Sequence, residues 1–253
     1  MAAPILRFMR LLFRSSPHLL ATLRDDIDAR YGKVANSRSI IVSATSDARF
    51  WDRTARKYAK GRIADQAGYE RTLDRTRALL GPADRVLELG CGTGTTALRL
   101  AGGVRHYLAT DISAGMIAIA NEKHTAAPVP ALVFRIASVE ALPPDAAQFS
   151  AVLGFNYLHL VRDLPGTLRR VHTLLAAEGL FISKTPCVGD MNPLIRLALL
   201  PAMRASGLAP YAGVFRATEL CQHLCAAGFD ILATESHATR GDDRRPYIVA
   251  RKR

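Results

Sequence analysis

The stretch Val86-Leu87-Glu88-Leu89-Gly90-Cys91-Gly92-Thr93-Gly94 decides how the rest of the chain is read. Val86, Leu87 and Leu89 are apolar strand residues. They run into a glycine-rich turn, and Thr95 to Leu100 continues as a helix whose N-cap is expected at Thr93 or Thr95. The glycines allow backbone conformations that a Cβ penalises and let a ligand approach the main chain. Strand, glycine turn and helix N-terminus together make a seat of nucleotide size. A dinucleotide fingerprint requires Gly-x-Gly-x-x-Gly, but the glycines here stand at 90, 92 and 94, and position 95 is Thr. Glu88 precedes the turn, where a carboxylate repels a pyrophosphate but suits a ligand with a cationic amino group. Both features speak against NAD and for a nucleoside that bears an amino acid.

Outward from this stretch, strands alternate with helix-length segments. Strands are expected at Arg85–Leu89, His106–Thr110, Ala131–Ile136, Phe149–Phe155, Gly179–Ser183, Phe229–Glu235 and Tyr247–Ala250. Ser113 is placed to cap a helix running to about Lys123. The Arg240–Pro246 connection is too short for a helical crossover, so the last two strands are expected to be antiparallel neighbours. The expected fold is α/β: a Rossmann-like, seven-stranded, mostly parallel sheet with a last antiparallel strand and helices on both faces. In front of the first strand, Phe50–Ala59 and Tyr69–Leu80 read as helices, and the polar run Asn36–Asp47 as a linker. Residues 1–48 are therefore taken as an N-terminal extension and 49–253 as the domain. Residues 186–216 interrupt the rhythm as a helical insertion. Its apolar run Met191–Met203 is expected to bend or end at Pro201 and to form a lid over an apolar acceptor.

The 253 residues carry a formal net charge of +12, and 49% of them are hydrophobic. A full core is available, which excludes global disorder. No apolar run reaches the roughly 20 residues that span a bilayer. The first 24 residues hold arginines and no acid, a pattern shared by a mitochondrial presequence, an interfacial membrane helix and an undistinguished N-terminus. Cys221 and Cys225 lie four apart with His223 between them, but no second pair has ligand spacing, so no metal site is expected. The four cysteines read as thiols of a reducing compartment, and a cytoplasmic location is expected, with mitochondrial or membrane-surface placement as alternatives.

Val86–Gly94 resembles the first motif of the class I S-adenosylmethionine-dependent methyltransferases, and further segments match in order. Thr110-Asp111-Ile112-Ser113 is similar to the end of the family's second strand. The resemblance gives Asp111 the ribose hydroxyls and Ile112 the adenine; a helix N-cap is the other reading of Asp111. Ser138-Val139-Glu140 looks like the adenine-contacting loop. Phe149–Val152 resembles the fourth strand, with Ser150 where an Asp is usual, and Leu174–Leu180 the entry to the fifth. The resemblance covers about residues 50 to 253 and is nearest to the ubiquinone-methyltransferase-like group. It implies S-adenosyl-L-methionine as cofactor, with a seat of Glu88, Gly90, Cys91, Gly92, Thr93, Gly94, Asp111, Ile112, Met116, Ser138, Val139, Glu140 and Phe155.

The acceptor is expected past the carboxyl ends of the strands, where Gly154–His159 leaves the fourth. His159 is the candidate base and Tyr157 an orienting hydroxyl; His159 as a packing residue is the alternative. Trp51, Tyr58 and Tyr69 are candidates for closing the pocket. The expected function is methyl transfer to a small hydrophobic acceptor such as a lipid or quinone. The rivals are a nucleic-acid methyltransferase, which calls for basic residues interleaved with stacking aromatics, and a non-catalytic S-adenosylmethionine-binding subunit. Oligomeric state is not readable from these residues.

Overall fold

In the computed structural model, the described residues are 37–143, 149–207, 209–239 and 244–253. The basic first 24 residues and most of the Arg240–Pro246 connection lie outside them. Met1–Ser43 and Ala44–Arg253 form two separate compact units, and the second holds the whole sheet.

Seven strands form one sheet: β1 (Arg85–Leu89), β2 (His106–Asp111), β3 (Leu132–Ile136), β4 (Phe149–Phe155), β5 (Leu175–Lys184), β6 (Phe229–Glu235) and β7 (Tyr247–Lys252). Their order is β3-β2-β1-β4-β5-β7-β6, and β7 alone runs antiparallel to its neighbours, as the short connection requires. Strand β1 pairs Val86 with Tyr107 on one side and with Ala151 on the other. Between β1 and β4 the strand order reverses, which opens a crevice at their carboxyl ends. Ser150 takes a structural part beside it, because its Oγ accepts from Arg85 N at 2.9 Å and donates to Arg85 O at 3.2 Å.

Both faces are covered. On one, Leu168 and Val171 of a helix at Leu164–Leu174 and Leu220 and Leu224 of a helix at Ala217–Ala226 pack on Leu87, Leu89 and Phe181. On the other, Leu73, Ala97 and Leu100 pack on Val86, Tyr107 and Leu153. All are almost fully buried, and the leucine, valine and phenylalanine side chains among them are worth about 1.5–3 kcal/mol apiece.

Three segments differ from the sequence expectation. Helix α1 is one element, Ser37–Ala59, rather than a linker followed by a short helix, since no Gly or Pro breaks that stretch. Helix α2 spans Gln66–Arg77 because Asp65 caps it, accepting from Gly68 N at 2.9 Å. The insertion is helical from 193 to 205, as expected, but the run is not uniformly α. It holds a 3₁₀ turn at Val188–Asp190, a π turn at Ile195–Leu199 and a short α-helix at Leu200–Ala205. Pro201 neither bends nor ends a helix there. It stands in the first turn of the α segment, where a missing N–H is tolerated. Among the described residues no helix is long and apolar enough to cross a membrane.

Helix α1 is fastened over helix α4 (Ala114–Ala126), the element that follows β2. Asp52 Oδ1 accepts from Ser113 Oγ at 2.6 Å and from Gly115 N at 2.9 Å. Trp51 and Ala55 pack against Met116 and Ile119. Asp52→Ala is expected to cost roughly 1–2 kcal/mol by orphaning these donors at a helix N-terminus, and Asp52→Asn much less. Urea midpoints measure the difference.

Candidate active site

The glycine turn is held in a left-handed backbone, with φ of 66° at Gly90, 54° at Gly92 and 74° at Gly94. A Cβ at Gly90 would come within 2.8 Å of the Tyr157 ring, and one at Gly94 within 2.6 Å of the Phe134 ring. Helix α3 (Thr95–Leu100) follows, and its N-cap is Gly94, not Thr93 or Thr95. The reason lies in the two threonines' other partner: Lys123 Nζ donates to Thr93 O, Thr93 Oγ1 and Thr95 Oγ1 at 2.9–3.0 Å. The turn is tied to β2 by Cys91 N donating to Thr110 O at 2.9 Å. Burial pushes the Cys91 thiol far above its ordinary range, so it is a packing group and not a nucleophile.

Asp111, at the end of β2, joins the turn to the next helix. Its Oδ2 accepts from Gly92 N at 3.0 Å and its Oδ1 from Ser113 N at 2.9 Å. The helix N-cap is Ser113, whose Oγ accepts from Met116 N at 3.1 Å, so Asp111 is not spent on capping. Burial raises its pKa, and the backbone donors oppose that rise.

Glu88 is buried, with Oε2 accepting from Tyr107 OH at 2.8 Å. Burial lifts its carboxyl from 4.5 to about 8, against the Tyr107 hydrogen bond and with a smaller push from Asp111. Between those values the native chain holds a proton that the unfolded chain has lost, so stability falls as pH rises from about 4.5 to 8. Glu88→Gln keeps an acceptor for Tyr107 and cannot ionise. Without ligand, wild type is expected to lose on the order of 3 kcal/mol relative to the variant between pH 5 and 8, since other groups, His159 among them, titrate alike in both. Urea titrations at the two pH values read this directly.

A cavity of about 1390 Å³ lies between α1, α2 and the strand ends. That exceeds the usual ligand pocket and leaves room for two small molecules. Cys91, Thr93 and Phe155 of the expected seat line it, as do Trp51, Tyr58 and Tyr69. Tyr69 OH lies 3.1 Å from Thr96 Oγ1, so the aromatic wall is hydrogen-bonded to helix α3. Glu88, Gly90, Asp111, Ile112, Ser138 and Glu140 stand nearby at or just beyond the ends of β1, β2 and β3, outside the cavity lining. Met116 and Val139 are buried in apolar clusters, their side chains committed to packing. The loop after β3 is pinned from behind by the Arg170 guanidinium, which donates to the Val139 and Leu142 carbonyls.

The wall continues from Phe155 to Asn156 and leaves out Tyr157 and His159. The Tyr157 ring packs over Gly90, and burial raises its phenol above the ordinary range. His159 Nδ1 is 3.1 Å from Thr185 Oγ1, and its carbonyl accepts from Gly213 N at 2.7 Å. Burial, aided by the Arg245 charge, lowers its imidazole to about 4, so it is neutral at neutral pH. A base that weak in the ligand-free chain serves better as a packing and hydrogen-bonding group. The insertion contributes Pro210 to the wall, while Leu194, Leu197 and Leu199 face outward instead of over the cavity. Its end is held by Tyr211, whose ring lies between the guanidinium groups of Arg162 and Arg204 at 4.6 and 4.9 Å.

Among the wall residues that the sequence did not single out are Lys184 and Arg245. Lys184 ends β5, and the rule that ligands sit at carboxyl strand ends was enough to flag it. Arg245 lies in the β6–β7 connection and carries no sequence signal.

Comparisons with known proteins agree with this geometry. Residues 86–179 match a family described as "Methyltransferase domain". Among curated proteins, "Arginine-hydroxylase NDUFAF5, mitochondrial" of Danio rerio is 31% identical over 168 residues, covering 65% of this chain and 51% of the relative. The Homo sapiens protein of that name is 32% identical over 154 residues, covering 59% and 43%. The chain thus spans about half the length of the curated relatives it matches. Among solved structures, magnesium protoporphyrin IX methyltransferase from Synechocystis PCC 6803 with bound S-adenosylhomocysteine superposes with a TM-score of 0.62. It is 21% identical, and the match covers 84% of this chain and 98% of that one. The DhpI complex with S-adenosylhomocysteine gives 0.64 at 24% identity, covering 83% and 97%. The chain thus has the fold of these S-adenosylhomocysteine-bound structures, and its glycine turn, Glu88 and Asp111 lie within the methyltransferase-domain match. The expected cytoplasmic location is corrected by the relatives, four of which carry "mitochondrial" in their names.

Proposed function

We propose that this chain transfers a methyl group from S-adenosylmethionine to a small molecule. The observation that carries the reading is the continuity of the glycine turn with the large cavity through Cys91 and Thr93. Gly90, Gly92 and Gly94 would receive the donor along the main chain, Asp111 its ribose hydroxyls and Glu88 its amino end. When bound, the donor supplies an electrophilic methyl carbon on a sulfonium whose leaving thioether is neutral. The protein's task is then orientation and exclusion of water. Trp51, Tyr58, Tyr69 and Phe155 surround the acceptor space with aromatic surface, which supports an acceptor with an apolar or aromatic body, in the lipid or quinone range. A solved relative named as a porphyrin methyltransferase is consistent with small-molecule methylation. The resemblance to the ubiquinone-methyltransferase-like group stays part of this proposal.

Two other readings have observations of their own. The curated relatives are named arginine hydroxylases, and a solved structure of the same fold is named a [4+2]-cyclase. These names favour a chain that binds S-adenosylmethionine without passing on its methyl group. A nucleic-acid acceptor calls for basic residues among stacking aromatics, and the cavity wall has both. It is a single concave pocket, however, and not a track along a strand. Incubating the chain with methyl-labelled donor and cell extract, then separating lipids, small metabolites, nucleic acid and protein, distinguishes the three. Label in the lipid or small-metabolite fraction is expected. Label in nucleic acid supports that rival, and no transfer with donor bound supports the non-transferring one.

A further inference from the structure

Most uncharged polar side chains of the cavity wall are committed to neighbours. Thr54 Oγ1 donates to Phe50 O at 2.9 Å and Thr72 Oγ1 to Gly68 O at 2.9 Å. Thr239 Oγ1 donates to Asp65 at 2.6 Å. Thr93 and Thr95 receive Lys123, and Thr96 pairs with Tyr69. Gln66 is drawn back along α2, its Nε2 donating to Glu70 Oε1 at 2.8 Å. Three groups are left without a hydrogen-bond partner among the described residues: the Trp51 indole N–H, the Tyr58 hydroxyl and the Asn156 carboxamide. The indole can only donate, and the hydroxyl offers donor and acceptor on one atom. The carboxamide alone offers them on two.

Asn156 is also the one of the three held in an unusual backbone. It follows Phe155, the last residue of β4, with φ of 50°. Its N donates to Lys184 O at 2.7 Å, which fixes it against the end of β5. Glycine takes this left-handed conformation without cost, and asparagine tolerates it. The other described non-glycine residues with positive φ, Glu178 and Arg244, lie outside the wall. The next residue, Tyr157, packs its ring over Gly90. Asn156 is thus an exposed amide at the point where the cavity meets the glycine turn, beside the aromatic surface of Phe155. Strained backbone carrying an unpaired polar side chain is characteristic of ligand contacts.

We propose that Asn156 binds and orients the acceptor, and that the acceptor presents its reacting atom as an uncharged hydroxyl or amine on an aromatic body. Asn156 Oδ1 accepts the hydrogen of that group, which turns its lone pair toward the donor side of the cavity. This rests on the methyl-transfer reading for the word acceptor, but not for the ligand class. In transfer, the lone pair forms the new bond to the methyl carbon and the C–S bond breaks to leave a neutral thioether. The hydrogen of the hydroxyl or amine leaves as a proton to water. The carboxamide takes no proton and serves orientation alone.

The test titrates the full chain, with S-adenosylhomocysteine present and at slightly acidic pH, with methyl 4-hydroxybenzoate, methyl benzoate and methyl 4-methoxybenzoate, following heat. The hydroxy ester is expected to bind about five-fold more tightly than either of the others, the factor one neutral hydrogen bond supplies. Asn156→Gly keeps the left-handed backbone and removes the amide, so the preference is expected to vanish with no loss of thermal stability. Asn156→Asp keeps the acceptor oxygen and charges it, so the preference is expected to widen. Equal binding of the three esters, binding of none of them, a preference that survives Asn156→Gly, or one that shrinks in Asn156→Asp overturns the proposal. Binding and not turnover is read. A chain that prefers the hydroxy ester in this way yet passes it no methyl group from S-adenosylmethionine therefore supports the Asn156 assignment and contradicts the methyl-transfer reading.

Discussion

Asp111→Ala is expected to weaken S-adenosylmethionine binding by roughly 1.5–3 kcal/mol, which is about ten- to a hundred-fold in Kd. Each Asp111 oxygen accepts one backbone N–H, from Gly92 and from Ser113, and each keeps a lone pair for a further donor. A ribose with two hydroxyls meets that need. The loss has two parts: the ribose bonds themselves, and the turn and helix start that Asp111 holds in place. Asp111→Asn separates them, since the amide oxygen keeps one acceptor and loses the charge, so a smaller loss is expected. Calorimetric titration of both variants measures this, and unchanged affinity in Asp111→Ala takes the ribose away from Asp111.

Gly94→Ala is expected to destabilise the fold by about 2–4 kcal/mol. At φ of 74° a Cβ costs about 1–2 kcal/mol through backbone strain alone. The added carbon also lands 2.6 and 2.8 Å from two Phe134 ring atoms and 2.9 Å from Ala120 Cβ. Phe134 is wedged edge-on against His124, with ring centroids 5.9 Å apart, and Ala120 is fixed in its helix, so neither yields cheaply. Gly102→Ala is the matched control, because nothing lies within 4 Å of its added Cβ. It is expected to stay within about 0.5 kcal/mol of wild type. Thermal unfolding of the pair decides whether the third glycine is demanded by the turn or merely permitted there.

Much of the sheet was readable because its determinants are local. Val86, Leu87 and Leu89 are continuous apolar residues with a glycine turn behind them. Ser113 precedes its helix as a cap should. The short link before Tyr247 leaves β7 only one direction. The candidate seat is local in the same way, since Gly90 to Gly94 and Asp111 belong to the ends of adjacent paired strands. The acceptor side was not, because its residues meet only through sheet order. Lys184 pairs with Phe155 on one side and Tyr247 on the other, which brings β4, β5 and the Arg245 segment to one wall. Likewise Asp52 finds Ser113 across 61 positions by helix packing, a contact no local pattern announces. The insertion misled for a different reason. Its leucines have helical content but break into π and α turns around Pro201, and Tyr211 is held between two arginines away from them.

The central claim is that the turn at 90–94, with Glu88 and Asp111, seats an adenosyl amino acid rather than a dinucleotide. Isothermal titration of the folded chain with S-adenosylhomocysteine and, separately, with NAD tests it most directly. Micromolar binding of the first and no heat from the second is the predicted outcome. A folded chain that gives no heat with S-adenosylhomocysteine, or that prefers NAD, contradicts it.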